Sequence, residues 1–300
     1  MHKFNRTQLV YNIAGVDIGG QPGEYPTVLV GSIFFSKHKI VSDPLKGIFD
    51  QEAALALLQQ EQEVSAFTGN PRFVDPIGDT GEALIQYIKF IAAHTTAPIL
   101  IDSPLPAARM EAIRYFAGSD VIPRLIYNSI AEDFTEEELL CMKECGIKNA
   151  IILAFSTTAM RPKDRIKLLK EKLLPAAERA QVENILVDPG VLDIPSVSWA
   201  ALAIQEVKEE FGFPAGCAPS NALLKWEKVH QRGTAAFQAA AAAVYSLTTL
   251  HGADFVLYGP IRFAPWIYPA CAAVDAMLAY GGRFNGIRPA SQNHPLYKIF

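Results

Sequence analysis

The stretch that decides the fold covers residues 97–129 and reads APILIDSPLPAARMEAIRYFAGSDVIPRLIYNS. One short apolar run ends at Asp102, a helical pattern follows, and a second apolar run ends at Asn128. The same arrangement returns in NILVDPG, around Asp188, and in PAGCAPSN, which ends at Asn221. Short continuous apolar runs are typical of parallel strands that are covered on both faces. The stretch therefore predicts a β–α–β unit whose strands end at polar residues.

Eight such strands are predicted along the chain, and each is followed by a helix. Their ranges are 27–35, 72–76, 98–102, 124–129, 150–157, 185–189, 215–221 and 254–260. The units recur at roughly 25–45 residues, the length scale of β–α–β repeats, and no change in composition marks a domain boundary. These features predict a (β/α)8 TIM barrel, an α/β fold, as a single domain over residues 1–300. An open doubly wound sheet is the alternative, but no G-x-G-x-x-G motif follows the first strand.

The segments outside the repeats carry further predictions. Residues 9–20 predict a short antiparallel β excursion that caps the bottom of the barrel. The tail from Arg283 is expected to wrap outside the barrel or to contact a second subunit. The apolar last helix, with Trp266, Ile267 and Tyr268, favours a homodimer. One helix start is marked by a capping-box pattern, in which Thr135 is followed three residues later by Glu138.

Composition excludes several classes of protein. The formal net charge is −4 and half of the 300 residues are hydrophobic, so neither a nucleic-acid footprint nor a disordered chain is expected. The longest apolar stretch, residues 235–250, is too short and too interrupted to span a bilayer. The first residues, MHKFNRTQ, lack the features of a signal peptide. Four cysteines in a chain of this length indicate the reducing cytoplasm.

In a TIM barrel, the functional residues lie at the C-terminal ends of the strands. The polar residues predicted there are Asp75, Asp102, Asn128, Ser156, Asp188, Ser220 and Asn221. No lysine stands at these ends, which counts against Schiff-base chemistry, and no histidine does, which counts against a histidine-containing metal site. No metal site is predicted. Cys141 and Cys145, four residues apart on a helix, are more typical of ordinary buried cysteines.

This set of carboxylates and amides suits a neutral fused ring with an amino-oxo pyrimidine edge, such as a pterin. The N–H and amino groups of such a ring need acceptors, and its carbonyl and bare nitrogens need donors. Hydrogen bonds of this kind discriminate strongly, because a wrong ligand leaves buried polar groups unpaired. Each residue also has a purely structural interpretation. Asp102 and the Ser220–Asn221 pair could cap helices, and Asp188 could be a turn residue.

The segments LIDSP, IYNS, VDPGV and APSNA, in this order, resemble those of the pterin-binding barrels. This group includes dihydropteroate synthase and the methyltetrahydrofolate:corrinoid methyltransferases, and the segments look similar to the branch related to the MtrH subunit of tetrahydromethanopterin S-methyltransferase. The resemblance implies that Asp102, Asn128 and Asp188 hold the pterin ring. It also implies that Asn221 lies near the methyl-bearing nitrogen and assists catalysis by hydrogen bonding. Ser220 and Asp75 complete the predicted substrate site.

The resemblance further implies an enzyme that moves a methyl group between a corrinoid, methylcobalamin, and the ring nitrogen of tetrahydrofolate. Because the D-x-H-x-x-G cobalamin motif is absent, a separate corrinoid-binding protein would carry that group. Tetrahydrofolate is favoured because no membrane segment is found and stand-alone relatives resemble soluble folate enzymes.

Several alternatives remain open. They are a tetrahydromethanopterin-linked methyltransferase subunit, a dihydropteroate-synthase-like pterin transferase, an inactive interaction subunit and a barrel for a phosphate substrate. The synthases have a lysine near the end of the seventh strand, where this chain has Ser220 and Asn221, with Lys225 further on. This difference counts against synthase chemistry.

Overall fold

The computed structural model describes residues 3–300, so Met1 and His2, at the start of the segment without signal-peptide features, lie outside it. The predicted domain range of 1–300 therefore stays a prediction at its first two residues. Within residues 3–300 the strands are β1 (Val10–Ile13), β2 (Val16–Gly19), β3 (Val28–Ile33), β4 (Val41–Asp43), β5 (Ile48–Phe49), β6 (Arg72–Pro76), β7 (Ile99–Asp102), β8 (Leu125–Ile130), β9 (Asn149–Leu153), β10 (Asn184–Asp188), β11 (Gly216–Cys217) and β12 (Phe255–Pro260).

The helices alternate with the strands of the barrel. They are α1 (Gln51–Thr68), α2 (Gly81–His94), α3 (Pro106–Phe116), α4 (Glu136–Cys145), α5 (Pro162–Leu168), α6 (Leu174–Arg179), α7 (Val197–Glu210), α8 (Ser220–Lys225), α9 (Glu227–His230), α10 (Thr234–Leu250), α11 (Ala264–Gly282) and α12 (Pro295–Lys298). A π-helical turn, Leu169–Leu173, joins α5 to α6. In the part of the chain that the structure describes, no helix has the length and apolarity needed to cross a membrane.

Eight parallel strands form one sheet in the order β10-β9-β8-β7-β6-β3-β12-β11. The two end strands meet, because the Val187 N–H donates to the Pro214 carbonyl at 2.9 Å and Val187 pairs with Ala215. The sheet is therefore closed into a barrel, and the predicted (β/α)8 fold is confirmed. Ser32 pairs with Asp75, and Asp102 pairs with Asn128, in the registers of adjacent strands.

The apolar runs are continuous because both faces of each strand are buried. Val30, Leu100 and Leu186 point into the barrel, where they form one inner cluster. Their neighbours along the strands, such as Leu29 and Ile101, belong to the outer core beneath the helices. Burial on both faces accounts for the sequence pattern from which the parallel strands were predicted.

The N-terminal hairpin of β1 and β2 closes the bottom of the barrel, as predicted. Ile13 and Ile18 are 1% and 0% exposed and belong to the inner cluster of the barrel. The loop after β2 is held by Lys208, whose Nζ donates to the Gly20 carbonyl at 3.0 Å and to the Asp254 carboxylate at 2.6 Å. Buried ammonium and carboxylate groups thus pair with each other at this end of the molecule.

Two predicted strands are shorter than expected. The fifth, β9, ends at Leu153, and Ser156 lies beyond it in a turn, where its Oγ accepts the Ala159 N–H at 3.1 Å. The seventh, β11, has two residues. Pro219 has no amide hydrogen to continue the ladder, and it opens α8 instead. Ser220 therefore begins a helix rather than ending a strand.

The capping-box prediction is half right. Thr135 Oγ1 accepts the Glu138 N–H at 3.2 Å, so α4 starts where the pattern places it. The Glu138 side chain does not reach back to the start of the helix. It is buried and bonds Arg109 and Tyr127, because a hydrogen bond from a guanidinium is stronger than one from a neutral backbone N–H.

The surface proposed for a homodimer is not available. Ile267 and Tyr268 are both 0% exposed, and Trp266 packs against the same core. The exposed apolar residues of α11 are Met277 and Tyr280 instead. The C-terminal tail wraps outside the barrel, where α12 contacts α1 and α11. A homodimer stays a prediction that these helix residues do not support.

Replacing Ile18 by Ala should lower the free energy of unfolding by about 2–5 kcal/mol, because it opens a cavity in the barrel floor. Val10→Ala, on the same hairpin at a position 39% exposed, is the matched control and should change it by less than about 0.5 kcal/mol. Urea unfolding followed by circular dichroism measures both. Equal losses would show that the hairpin does not seal the barrel.

Candidate functional site

A cavity of about 350 Å³ opens at the C-terminal ends of the barrel strands. All six residues predicted for the substrate site line it, namely Asp75, Asp102, Asn128, Asp188, Ser220 and Asn221. Ser156 does not. These side chains come from β6, β7, β8, β10 and α8, and the closed barrel brings them together although they are far apart in sequence. Their roles in binding and catalysis stay predictions.

Asp75 and Asp102 form a pair of carboxyl groups in hydrogen-bonding contact. Asp75 is 1% exposed, and its Oδ2 accepts the Ser32 hydroxyl at 2.7 Å. Burial, followed by the charge of Asp102, raises the pKa of Asp75 well above its ordinary value. Burial also raises the pKa of Asp102, to about 6, against the lowering effects of Arg109 and of hydrogen bonds from Asp75 and Asn128. Two carboxylates in such contact cannot both ionise easily.

Arg109, from the first turns of α3, was not among the predicted site residues. It lines the cavity, and its Nη2 donates to Glu138 Oε1 at 2.6 Å while its Nη1 donates to the Ser103 carbonyl. Tyr127 also donates to Glu138. This network fixes a positive charge near Asp102.

A sequence signal for Arg109 exists. The residue occupies the apolar stripe of α3, in helical register with Ala112, Ile113 and Phe116, all of which are buried. An arginine on such a stripe is buried and therefore needs a charged partner, which here comes from the next helix.

Asp188 is both a turn residue and a cavity residue. Its Oδ1 accepts the Gly190 N–H at 2.6 Å, and Gly190 has a positive φ of 75°. Oδ2 accepts no hydrogen bond from the residues described, which leaves it for a ligand. Burial raises the pKa of Asp188 to about 6, although the Gly190 hydrogen bond and the nearby Arg165 lower it.

Ser220 and Asn221 differ in their freedom. The Ser220 hydroxyl donates to the Leu257 carbonyl at 3.0 Å and is buried, so it ties α8 to β12. Asn221 is exposed at the mouth, and its amide makes no side-chain hydrogen bond within residues 3–300. The structure therefore supplies one structural residue and one unengaged amide from this pair.

The cavity is chemically specialised for hydrogen bonding to a neutral ligand. It presents carboxylate oxygens at its base, amides at Asn128 and Asn221, and one cation, Arg109, whose donors are already used. Among residues 3–300, no three His, Cys, Asp or Glu side chains are grouped to hold a metal ion. The arrangement suits a flat ring with N–H donors along one edge.

Comparison with known proteins identifies relatives along the whole chain. The family model described as the tetrahydromethanopterin S-methyltransferase MtrH subunit matches residues 6–290. The H subunit of a putative mtx methyltransferase from Methanosarcina barkeri is 36% identical over 307 residues, covering 99% of each chain. The H subunit of tetrahydromethanopterin S-methyltransferase from Methanocaldococcus jannaschii is 36% identical over 319 residues, covering 100% of each.

Solved structures support the fold. Dihydropteroate synthase from Xanthomonas albilineans, in complex with indole-2-carboxylic acid and 6-chloroguanine, superposes with a TM-score of 0.64. It is 17% identical and covers 91% of this chain and 98% of its own. Dihydropteroate synthase from Yersinia pestis gives 0.63 at 14% identity, covering 90% of this chain and 99% of its own. At these identities the likeness concerns the barrel alone.

Asp188→Asn should stabilise the protein at pH 7.5, because the asparagine keeps the acceptor for the Gly190 N–H and removes a buried charge. The folded-state pKa of about 6 lies above the ordinary 3.8, so the carboxyl costs stability as pH rises from about 4 to 6. The expected gain is roughly 1–3 kcal/mol at pH 7.5 and close to zero at pH 4. Urea unfolding at both pH values measures it, and a loss of stability at pH 7.5 would contradict the account.

Proposed function

The chain belongs to the family of the MtrH subunit of tetrahydromethanopterin S-methyltransferase, and from this premise we propose that it transfers a methyl group to or from a ring nitrogen of a reduced pterin. The observation that carries the proposal is the convergence of six polar side chains in one cavity at the C-terminal face of the barrel. The family supplies the reaction class, and the cavity supplies groups complementary to the ring. The two lines of support are independent.

In the proposed complex, the carboxylates of Asp102 and Asp188 accept hydrogen bonds from the N–H and amino groups of the pyrimidine edge. The Asn128 amide bonds Asp102 and has capacity left for the ring. Carboxylates that are buried and short of donors in the free protein gain partners when such a ring binds, and a ring without those N–H groups leaves them unpaired.

The reactive nitrogen of the ring would face Asn221, whose amide is unengaged and exposed at the mouth. An amide can donate or accept by rotating, so it can follow the change in charge at a nitrogen that gains or loses a methyl group. No side chain needs to form a covalent intermediate. The protein contributes orientation, which is worth several kcal/mol when the reacting atoms are aligned.

The comparisons favour tetrahydromethanopterin over tetrahydrofolate, which was favoured from the sequence. Several of the relatives at 33–36% identity are named for tetrahydromethanopterin. Both compounds share the ring edge that the cavity is proposed to hold. We therefore propose tetrahydromethanopterin as the first candidate substrate and tetrahydrofolate as the second.

The other methyl-group partner is proposed to be a corrinoid carried by a separate protein. The cavity mouth is surrounded by loop residues that expose apolar side chains, with Leu105 54%, Leu192 41% and Leu224 43% exposed. A partner that presents its group over the mouth would cover these side chains. We also propose a cytoplasmic location, on the grounds of the low cysteine content.

The synthase alternative is disfavoured by the charges in the cavity. A pyrophosphate leaving group needs basic side chains, and among the described residues Arg109 is the one cation that lines the cavity. Its guanidinium is already paired with Glu138. Incubation with a pterin pyrophosphate and 4-aminobenzoate should therefore release no pyrophosphate.

Asp102→Ala should reduce the affinity for a reduced pterin by at least about 100-fold, because it removes a charged acceptor from a buried hydrogen-bonding edge. Asp133→Ala, at an exposed position of the same cavity, is the matched control and should bind within about threefold of wild type. Calorimetry with tetrahydromethanopterin and with tetrahydrofolate measures both variants and ranks the two substrates. Unchanged binding by Asp102→Ala would remove the proposed site.

Asn221→Ala should slow methyl transfer by about 10–1000-fold while leaving the pterin dissociation constant within a few-fold, because its hydrogen bond strengthens with the charge at the nitrogen. Lys225→Ala, at the end of the same short helix and outside the cavity lining, is the control. The assay follows the spectrum of methylcobalamin in the presence of the reduced pterin. A rate equal to wild type would leave Asn221 without a role.

A further inference from the structure

The contact between Asp75 and Asp102 raises the question of which oxygen holds a proton. Asp75 is 1% exposed, and its Oδ1 is buried without any conventional donor among the described residues. Its Oδ2 is already used by the Ser32 hydroxyl, which donates at 2.7 Å. A hydrogen bond between two carboxyl groups needs one proton, since neither anion has a donor of its own.

The surroundings of the two groups are unequal. Asp102 is partly exposed to the cavity, hydrogen-bonds with the Asn128 amide and lies within the field of Arg109. Asp75 has the Ser32 hydroxyl and the Asp102 carboxyl as its polar neighbours, and no cation faces it from β3, β6 or β7. Amide and guanidinium groups stabilise an anion, and burial beside another carboxylate destabilises one. The anion of the pair is therefore favoured on Asp102.

We infer that Asp75 is a neutral acid at neutral pH, with its proton on Oδ1, and that it donates a hydrogen bond to Asp102. Asp75 is then a positioning residue rather than a direct ligand of the ring. Its donation orients the Asp102 carboxylate and leaves the other lone pairs of that carboxylate for the N–H groups of a substrate. The part that concerns the substrate rests on the proposed function, and the placement of the proton does not.

The shared proton also accounts for the charge of the cavity. With both carboxyl groups ionised, Arg109 would face two anions in addition to Glu138, its own partner. With one proton held on Asp75, the pair carries a single negative charge beside that guanidinium. Such a cavity accepts a neutral ring without having to recruit a further cation.

Infrared difference spectra at pH 7.5 test the proton directly, without a ligand. Wild type minus Asp75→Asn should show the carbonyl stretch of one protonated carboxylic acid. Wild type minus Asp133→Asn should show no such band, because Asp133 is exposed and has no carboxyl partner. Subtraction also removes the other buried acids, such as Glu61, whose pKa burial raises to about 7. Absence of the acid band in the Asp75 difference spectrum would overturn the inference.

Binding of tetrahydropterin, measured by calorimetry, tests the positioning role. Asp75→Asn should bind within about threefold of wild type, because its amide can donate to Asp102 and its oxygen can accept from Ser32. Asp75→Leu has a similar volume but no donor, and it should bind about 10–100-fold more weakly. A loss in Asp75→Asn as large as that in Asp102→Ala would show that Asp75 is an anionic ligand, and would overturn the inference.

The two experiments separate this inference from the proposed function. An acid band assigned to Asp75, together with wild type that binds no reduced pterin, keeps the proton placement and removes the proposed substrate. Normal binding by wild type, without the acid band, keeps the proposed substrate and removes the proton placement. The unfolding temperature of each variant, measured by circular dichroism, identifies any loss of binding that comes from misfolding.

Discussion

Closure of the parallel sheet is the constraint on which the candidate site depends. The last strand pair meets through Val187, Pro214 and Ala215, and this contact brings the residues after β10 and β11 next to each other. Without it, Asp188 and Asn221 would lie at opposite edges of an open sheet. Because all eight strands are parallel, their C-terminal ends share one face, and the polar residues that follow them line one cavity.

The cavity concentrates carboxyl groups at a cost in folding free energy. Burial raises the pKa of both Asp102 and Asp188 to about 6, so their ionised forms weaken the folded state at neutral pH. The Arg109–Glu138 pair offsets part of this cost by holding a positive charge beside Asp102. A protein that keeps such groups where apolar ones would be more stable is trading stability for a binding function. The acceptors are unsatisfied in the free protein and available to a ligand.

Much of the barrel could be predicted from the sequence because both faces of its strands are buried. Continuous apolar runs of strand length that alternate regularly with amphipathic helices are typical of parallel α/β folds. The same pattern located Asp102, Asn128 and Asp188, since each lies at or near the end of a regular strand. The seventh strand was overestimated because the run 215–221 looks apolar, whereas Pro219 turns the chain into α8 after two paired residues.

Contacts between distant segments were less accessible. The pairing of Arg109 with Glu138 depends on the packing of α3 against α4, which no local pattern specifies. The exposure of α11 was also misjudged, because apolar residues around a whole helix do not reveal which side faces the core. Trp266, Ile267 and Tyr268 pack against the core, and Met277 and Tyr280 are the ones left outside.

The central claim is that the carboxyl groups at the strand ends hold the edge of a pterin ring. A crystal structure of the protein grown with tetrahydromethanopterin tests it most directly. The account predicts that the pyrimidine edge lies within hydrogen-bonding distance of Asp102 and Asp188, with the methyl-accepting nitrogen facing Asn221. A ring bound elsewhere on the molecule, or turned so that its N–H edge faces away from both carboxylates, would contradict the account.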